Sequence, residues 1–225
     1  MKMKKVLFLV DDYWHKEESI KPLAELLFPS AEWNLIFTKD PQELYTNQDI
    51  ALLVSFKDPV ENDQIPTPVW CDGKWTETFL GMVRAGTGLI AVHAAVTDLE
   101  PSHPFVQNLL HAVFLSHPQQ CEVKVEILAD HPVTSGVNSF SLPAYDEHYQ
   151  MQMSGDITML ANTVSVNGIQ PGLWVSEYGA GRICCFTPGH VTENLLSPAI
   201  PSVARVTTIM TAPASVTCLP SVLNP

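Results

Sequence analysis

The sequence predicts a doubly wound α/β fold, with a mostly parallel central sheet, helices on both faces and an antiparallel extension. Three observations lead there. Short apolar runs alternate with stretches of helical periodicity from residue 6 to residue 92, the pattern of βαβ units. The run Leu89-Ile90-Ala91-Val92, preceded by Gly86-Thr87-Gly88, is unbroken in its apolar character, as in a strand buried on both faces. Residues 121–128 instead alternate, with Val123, Val125 and Ile127 on one side and Glu122, Lys124 and Glu126 on the other. That period of two belongs to a strand covered on one face, which suits an antiparallel edge.

The elements follow in order. Residues 6–10 form an apolar run stopped by Asp11-Asp12 and read as the first strand. Ile20, Leu23, Ala24, Leu27 and Phe28 recur at helical spacing over 19–28, with Pro22 tolerable in a first turn. A second strand spans 31–38, a short helix 41–45 and a third strand 50–55. Residues 57–74 hold three prolines and read as a loop over one rim. A helix over 76–85 then leads into Gly86 and the strand 89–92. The periodicity of 104–114 predicts a further helix. Strands are expected at 146–153, 157–162, 172–176 and 183–186, the last two joined by the tight turn Tyr178-Gly179-Ala180-Gly181. A final helix is expected at 202–211, closing a single domain of residues 1–211, with 212–225 as a tail.

Composition narrows the function. Twelve basic and twenty-four acidic side chains leave a formal charge of −12, which opposes binding to nucleic acid or to an anionic membrane and is compatible with a neutral ligand. The five cysteines, at 71, 121, 184, 185 and 218, form no C-x-x-C pair, so buried free thiols are expected. The apolar stretch after the basic N-terminal residues ends at Val10, too short for a signal core or a membrane span, so a cytoplasmic protein is expected. Gly86-Thr87-Gly88 precedes a strand instead of following one and lacks the third glycine of a dinucleotide fingerprint. With no Walker A sequence either, no nucleotide cofactor is expected.

Three of the eight histidines stand at or just beyond the carboxyl end of a predicted strand: His15, His93 and His190. Open α/β sheets bind ligands on that rim, so the fold would bring them together. Imidazole is a favoured zinc ligand and titrates near neutrality, so the trio suggests either a metal site or acid–base chemistry. Structural, hydrogen-bonded histidines remain the alternative. His93 is followed by Ala94-Ala95, small residues that permit the sharp strand-to-helix turn of a nucleophile elbow. Trp14 and its neighbour Tyr13 lie in the adjoining loop, where an aromatic face suits a sugar or else pins the loop. Asp146 reads as a solvated carboxylate. His103 and His148 read as surface or helix-cap groups, and His131 as a turn residue as readily as a catalytic one.

Several of these motifs together resemble the ThuA-like, trehalose-utilisation family, whose members share the class I glutamine amidotransferase-like fold. The resemblance rests on G-T-G-L-I-A-V-H-A-A at 86–95, D-H-P-V-T-S-G at 130–136, D-E-H-Y at 146–149, S-E-Y-G-A-G-R-I at 176–183 and P-G-H at 188–190. It implies a three-layer α/β/α sandwich with a flavodoxin-like sheet. It also implies a site of His15, His93, His117, Glu147 and His190. In that site His93 and Glu147 are the catalytic candidates, His117 a substrate contact, and His15, His93 and His190 the metal ligands; Trp14 is a further substrate-contact candidate, read from its aromatic face and not from the resemblance. One motif departs from the family pattern: Leu110-His111 stands where two glycines are usual, so an altered rim is expected.

The resemblance further implies a role in carbohydrate metabolism, with a trehalose-like glucoside or an oxidised keto-sugar as the small-molecule partner. The expected chemistry is proton transfer or isomerisation assisted by a divalent metal, zinc being the first choice. A non-catalytic sugar- or metal-binding module and a metal-dependent hydrolase are the alternatives, and assembly into a homo-oligomer is left open. Glutamine amidotransfer is disfavoured, because His93 occupies the elbow where that chemistry needs a cysteine thiolate.

Overall fold

A computed structural model describes residues 3–47, 49–60, 62, 70–71 and 73–197. The expected helix at 202–211, the tail and Cys218 lie outside the described residues. Strand β1 (Lys4–Leu9) leads through helix α1 (Glu17–Leu27) to β2 (Trp33–Thr38), and a short helix α2 (Glu43–Thr46) to β3 (Ile50–Ser55). Helix α3 (Lys74–Arg84) precedes β4 (Gly88–Val92). The chain then builds β5 (Ala112–Ser116), β6 (Lys124–Ile127), β7 (Phe140–Ser141) and β8 (Gln150–Met153). It closes with β9 (Thr158–Ser165), β10 (Gly168–Tyr178), β11 (Gly181–Phe186) and a short α4 (Thr192–Leu195).

Nine strands make one sheet in the order β2-β1-β3-β4-β11-β10-β9-β6-β7. From β2 to β11 neighbours run parallel, a flavodoxin-like arrangement whose last strand is reached only after a long excursion. From β11 outward the pairing is antiparallel, which is the extension the alternation of 121–128 calls for. Helices lie on both sides of the parallel half. One face packs against α1 and α4 through Phe8, Ile90 and Cys184; the other packs against α3 through Leu7, Leu89 and Cys185. The adjacent cysteines thus point into opposite layers, as strand alternation requires. All five residues of β4 are buried, and the Leu89, Ile90 and Val92 side chains each contribute roughly 1.5–3 kcal/mol of transfer free energy. Among the described residues no helix is long and apolar enough to cross a membrane.

The expected helix at 104–114 is corrected. Only Val106–Leu110 is helical, as one wide π turn, and the chain then becomes β5. His111 ends the turn in the left-handed region at φ 53°, with its N–H bonded to the Val106 carbonyl. Apolar spacing over so short a run does not separate helix from strand, and pairing of β5 with β8 decides it. The strand expected at 146–153 is shorter for a related reason: Asp146 makes an isolated bridge to Cys121, and β8 begins only at Gln150.

Candidate functional site

The sheet order places the ends of β1, β3, β4 and β11 side by side on the carboxyl rim. Beyond β1, Asp12 is buried and organises the turn: its Oδ1 accepts the backbone N–H of Trp14 at 2.8 Å and of His15 at 2.5 Å. The same carboxylate holds His15 Nδ1 at 3.0 Å. Its Oδ2 also takes the Asp58 N–H, 2.7 Å away in the loop after β3. Burial acts to raise the Asp12 pKa, but the His15 hydrogen bond and charge, with the Asp58 and His15 amides, outweigh it and hold the carboxyl below its ordinary value. With Nδ1 donating to Asp12, His15 Nε2 is left buried and without a hydrogen-bond partner among the described residues.

His93 follows β4 and opens a 3₁₀ turn, His93–Val96, with φ at 51°. A positive φ in a non-glycine residue is strained, and here it forms the elbow that the small residues Ala94 and Ala95 permit. His93 is fully buried. Its Nδ1 donates to the Thr187 carbonyl at 2.8 Å, so its Nε2 faces the other rim residues. Three groups meet there: Tyr149 Oη at 2.9 Å, His190 Nδ1 at 3.3 Å and Glu147 Oε2 at 3.3 Å. The rings of His15, His93 and His190 sit edge-on to one another, with centroids 5.3–5.8 Å apart. One nitrogen from each lies within 4.8 Å of the other two.

Glu147 caps the cluster. Its carboxylate lies 3.4 Å from His190 Nδ1 and 3.9 Å from His117 Nε2, besides its contact with His93. Burial alone would raise its pKa, yet the His93 hydrogen bond and the charges of His93, His190 and His117 pull it down to about 2. His190 moves down as well, through burial first, with His93 and His15 adding to it and Glu147 opposing. His117, at the end of β5, is the most open of the set; its Nδ1 donates to the Pro118 carbonyl and its Nε2 faces Glu147. Trp14 is half-buried and packs edge-on against exposed Tyr13, one residue before His15. All five histidine and glutamate positions expected from the resemblance therefore converge, and Trp14 stands on the turn that carries His15.

Several contributors escape a reading of the sequence. Asp146, expected on the surface, is fully buried and accepts the N–H of Gly189 at 2.8 Å, of Glu147 at 2.9 Å and of His190 at 3.1 Å. It ties the turn that carries His190 to the segment that carries Glu147. His148, also expected at the surface, is buried, with Nε2 against Thr163 and Nδ1 against Ser165 Oγ at 2.7 Å. Tyr149 stacks on His93 at 4.4 Å, and its phenol is held well above its usual pKa by burial and then by Glu147. Asp58 is buried and accepts from Val60 N–H and Thr97 Oγ1; burial, and then the charge of Asp98, push its pKa up to about 7. The D-E-H-Y string holds the signal for Asp146 and Tyr149; Asp58 sits in a proline-rich stretch that offers none.

The altered Leu110-His111 pair is not on this rim. It lies at the opposite end of β5 from His117, some six residues or about 20 Å of extended chain away. There His111 carries the left-handed backbone that a glycine would adopt freely, and its ring packs where only glycine fits at 155, since a Cβ there would collide with His111 Nδ1. His131 serves its turn, accepting the Val133 N–H. Cys121, Cys184 and Cys185 form no disulfide; burial raises the Cys184 thiol to about 12 and Cys185 higher still, which suits packing and not nucleophilic attack. A separate apolar pocket under α1, lined by Leu27, Phe56, Ile90, Phe186 and Leu195 among others, shares no residue with the histidine cluster.

The family model for ThuA, trehalose utilisation, matches residues 5–206, a span that takes in every group of the site. The chain belongs to the ThuA family. Membership ties it to carbohydrate metabolism. Among solved structures it is similar to a ThuA-like protein of Parabacteroides merdae ATCC 43184, with 17% identity, a TM-score of 0.71 and coverage of 98% of this chain and 94% of that one. A ThuA-like protein of Bacteroides uniformis ATCC 8492 has 20% identity and a TM-score of 0.67, covering 92% and 89%. A β-galactosidase from Rahnella sp. R3 contains the same fold, with 11% identity, a TM-score of 0.63 and 95% of this chain covering 32% of the enzyme. At these identities the likeness is one of fold. No curated protein matches the chain in sequence.

Proposed function

We propose that this ThuA-family protein moves a proton on an oxidised, unphosphorylated sugar, at a site built to hold a divalent cation. The observation that carries the reading is the meeting of three imidazoles within 4.8 Å, with Glu147 against two of them. The donor set fits zinc. Three neutral histidines with a position left open are a known catalytic arrangement, and His15 offers a buried Nε2 with nothing else to bind among the described residues. Asp12 behind His15 and the Thr187 carbonyl behind His93 are the kind of outer partners that fix a ligating imidazole. A bound cation would polarise the sugar carbonyl as a Lewis acid.

The chain's own groups do the rest. A carboxylate facing a cation, or the imidazoliums whose charge lowers its pKa, is a weak base, so Glu147 suits charge stabilisation better than proton abstraction. His117, half-open and facing Glu147, is placed to take a proton from the carbon beside the carbonyl while Glu147 stabilises the resulting imidazolium. His93 is the alternative acceptor when no cation occupies its Nε2. Trp14 and Tyr13 supply aromatic surface for the apolar face of a sugar ring. Asp12, Asp146 and Glu147 on one rim, with a chain charge of −12, disfavour a phosphorylated substrate.

The test is solvent exchange. Incubated in heavy water with a panel of keto-glucosides, the protein should catalyse deuterium incorporation beside the carbonyl, detected by proton NMR, and the Glu147→Gln variant should lose at least about two orders of magnitude of that rate. Release of free sugar without exchange would overturn the reading in favour of a hydrolase.

A further inference from the structure

We propose that Tyr149 is a positioning residue that holds the lone pair of His93 in reserve: its hydroxyl donates to His93 Nε2 and must give way before that nitrogen can ligate a cation. The inference rests on the three-histidine reading above and concerns a residue outside that ligand set.

The argument is a count of donors and lone pairs. A carbonyl only accepts, so the 2.8 Å contact between His93 Nδ1 and the Thr187 oxygen puts the ring proton on Nδ1. In the neutral ring Nε2 then carries the one lone pair, and of the two donors beside it the phenol at 2.9 Å is nearer than His190 Nδ1 at 3.3 Å, so the hydroxyl takes it. One lone pair serves one partner, so hydroxyl and cation exclude each other at this atom. The phenol is held in place on both sides: it stacks on His93 at 4.4 Å, and Phe114 meets it edge-on at 4.7 Å. Both Tyr149 and His93 are buried, so neither trades this bond for one to bulk water at little cost.

The ligand set is therefore uneven. His15 presents an Nε2 with no competitor among the described residues, whereas His93 presents one already engaged. Displacing the hydroxyl leaves a buried donor in need of an acceptor, and Glu147 Oε2, 3.3 Å from the same nitrogen, is at hand. Tyr149 thus weakens cation binding while keeping His93 in the tautomer that binding requires. A residue of merely structural importance would act the other way, because its loss would loosen the site and lower affinity.

The experiment measures zinc affinity of the full chain by competition with a chromophoric chelator, for wild type and Tyr149→Phe, which retains the stacked ring. Removing one hydrogen bond that competes for the ligand atom should tighten zinc binding by several-fold to about tenfold. In parallel, the ¹⁵N resonances of His93 and the Tyr149 ring-carbon resonance next to the hydroxyl are followed as zinc is added to wild type; both should shift together. Equal or weaker zinc binding by Tyr149→Phe, or a His93 Nε2 shift with Tyr149 unmoved, overturns the proposal and leaves the three-histidine reading standing. Absence of zinc binding to either protein overturns both. Should Tyr149→Phe fail to fold, the wild-type titration decides alone.

Discussion

Replacing Asp58 with Asn should remove the share of the pH dependence of stability that Asp58 carries. Asp58 is only 6% exposed, and its carboxyl has a pKa of about 7 against an ordinary 3.8. A carboxyl whose pKa is raised by folding contributes stability that is full below the unfolded value and is lost as pH rises through the folded one. Between about pH 5.5 and pH 8 the folded protein must give up a proton that the unfolded chain has already released. Linkage over that window amounts to about 2 kcal/mol, taking roughly 1.36 kcal/mol per pKa unit. Asn retains an acceptor for the Val60 N–H at 2.8 Å, and the Thr97 hydroxyl retains its 2.7 Å bond to the Ala94 carbonyl, so the exchange is close to isosteric. Urea melts of both proteins at the two pH values give the comparison directly. The Asp58→Asn variant should gain about 2 kcal/mol on the wild type between about pH 5.5 and pH 8. Parallel behaviour across that window would show that Asp58 is ionised throughout and would refute the reasoning.

Two further outcomes are expected. Asp12→Ala removes the acceptor that orients His15 and should weaken zinc binding by about 10- to 100-fold, measured by chelator competition, while Glu18→Ala on the exposed side of α1 leaves it unchanged. Gly181→Ala drives a Cβ into the backbone oxygen of Val83, so β11 or α3 must shift; a cost of about 3 kcal/mol and a fall in Tm of roughly 6–12 °C are expected in thermal denaturation.

The parallel half of the sheet is legible because burial on both faces leaves unbroken apolar runs, and 50–55 and 89–92 fall on β3 and β4. His15, His93 and His190 are legible as a group because each follows such a run, and strand order does the converging. What escapes is long-range by nature. Asp146 is buried because three backbone amides surround it, two of them from a turn some forty residues along the chain, and no local pattern announces that. His148 is buried for the same kind of reason, its partners lying on β9. The π turn at 106–110 reads as part of a longer helix because its apolar spacing is helical; the break depends on His111 adopting the left-handed region and on β8 pairing alongside. The missing glycines at 110 and 111 also need the fold to be judged, since the pair sits at the far end of β5 from His117.

The central claim is that three strand ends assemble one cation site, and metal content tests it most directly. Elemental analysis of the purified chain, and of the His93→Ala/His190→Ala double variant, would be made before and after soaking in zinc followed by gel filtration. Close to one zinc per chain in the wild type, lost in the double variant, is the predicted result. No zinc in the wild type even after soaking, or the same zinc content in both proteins, would contradict the account.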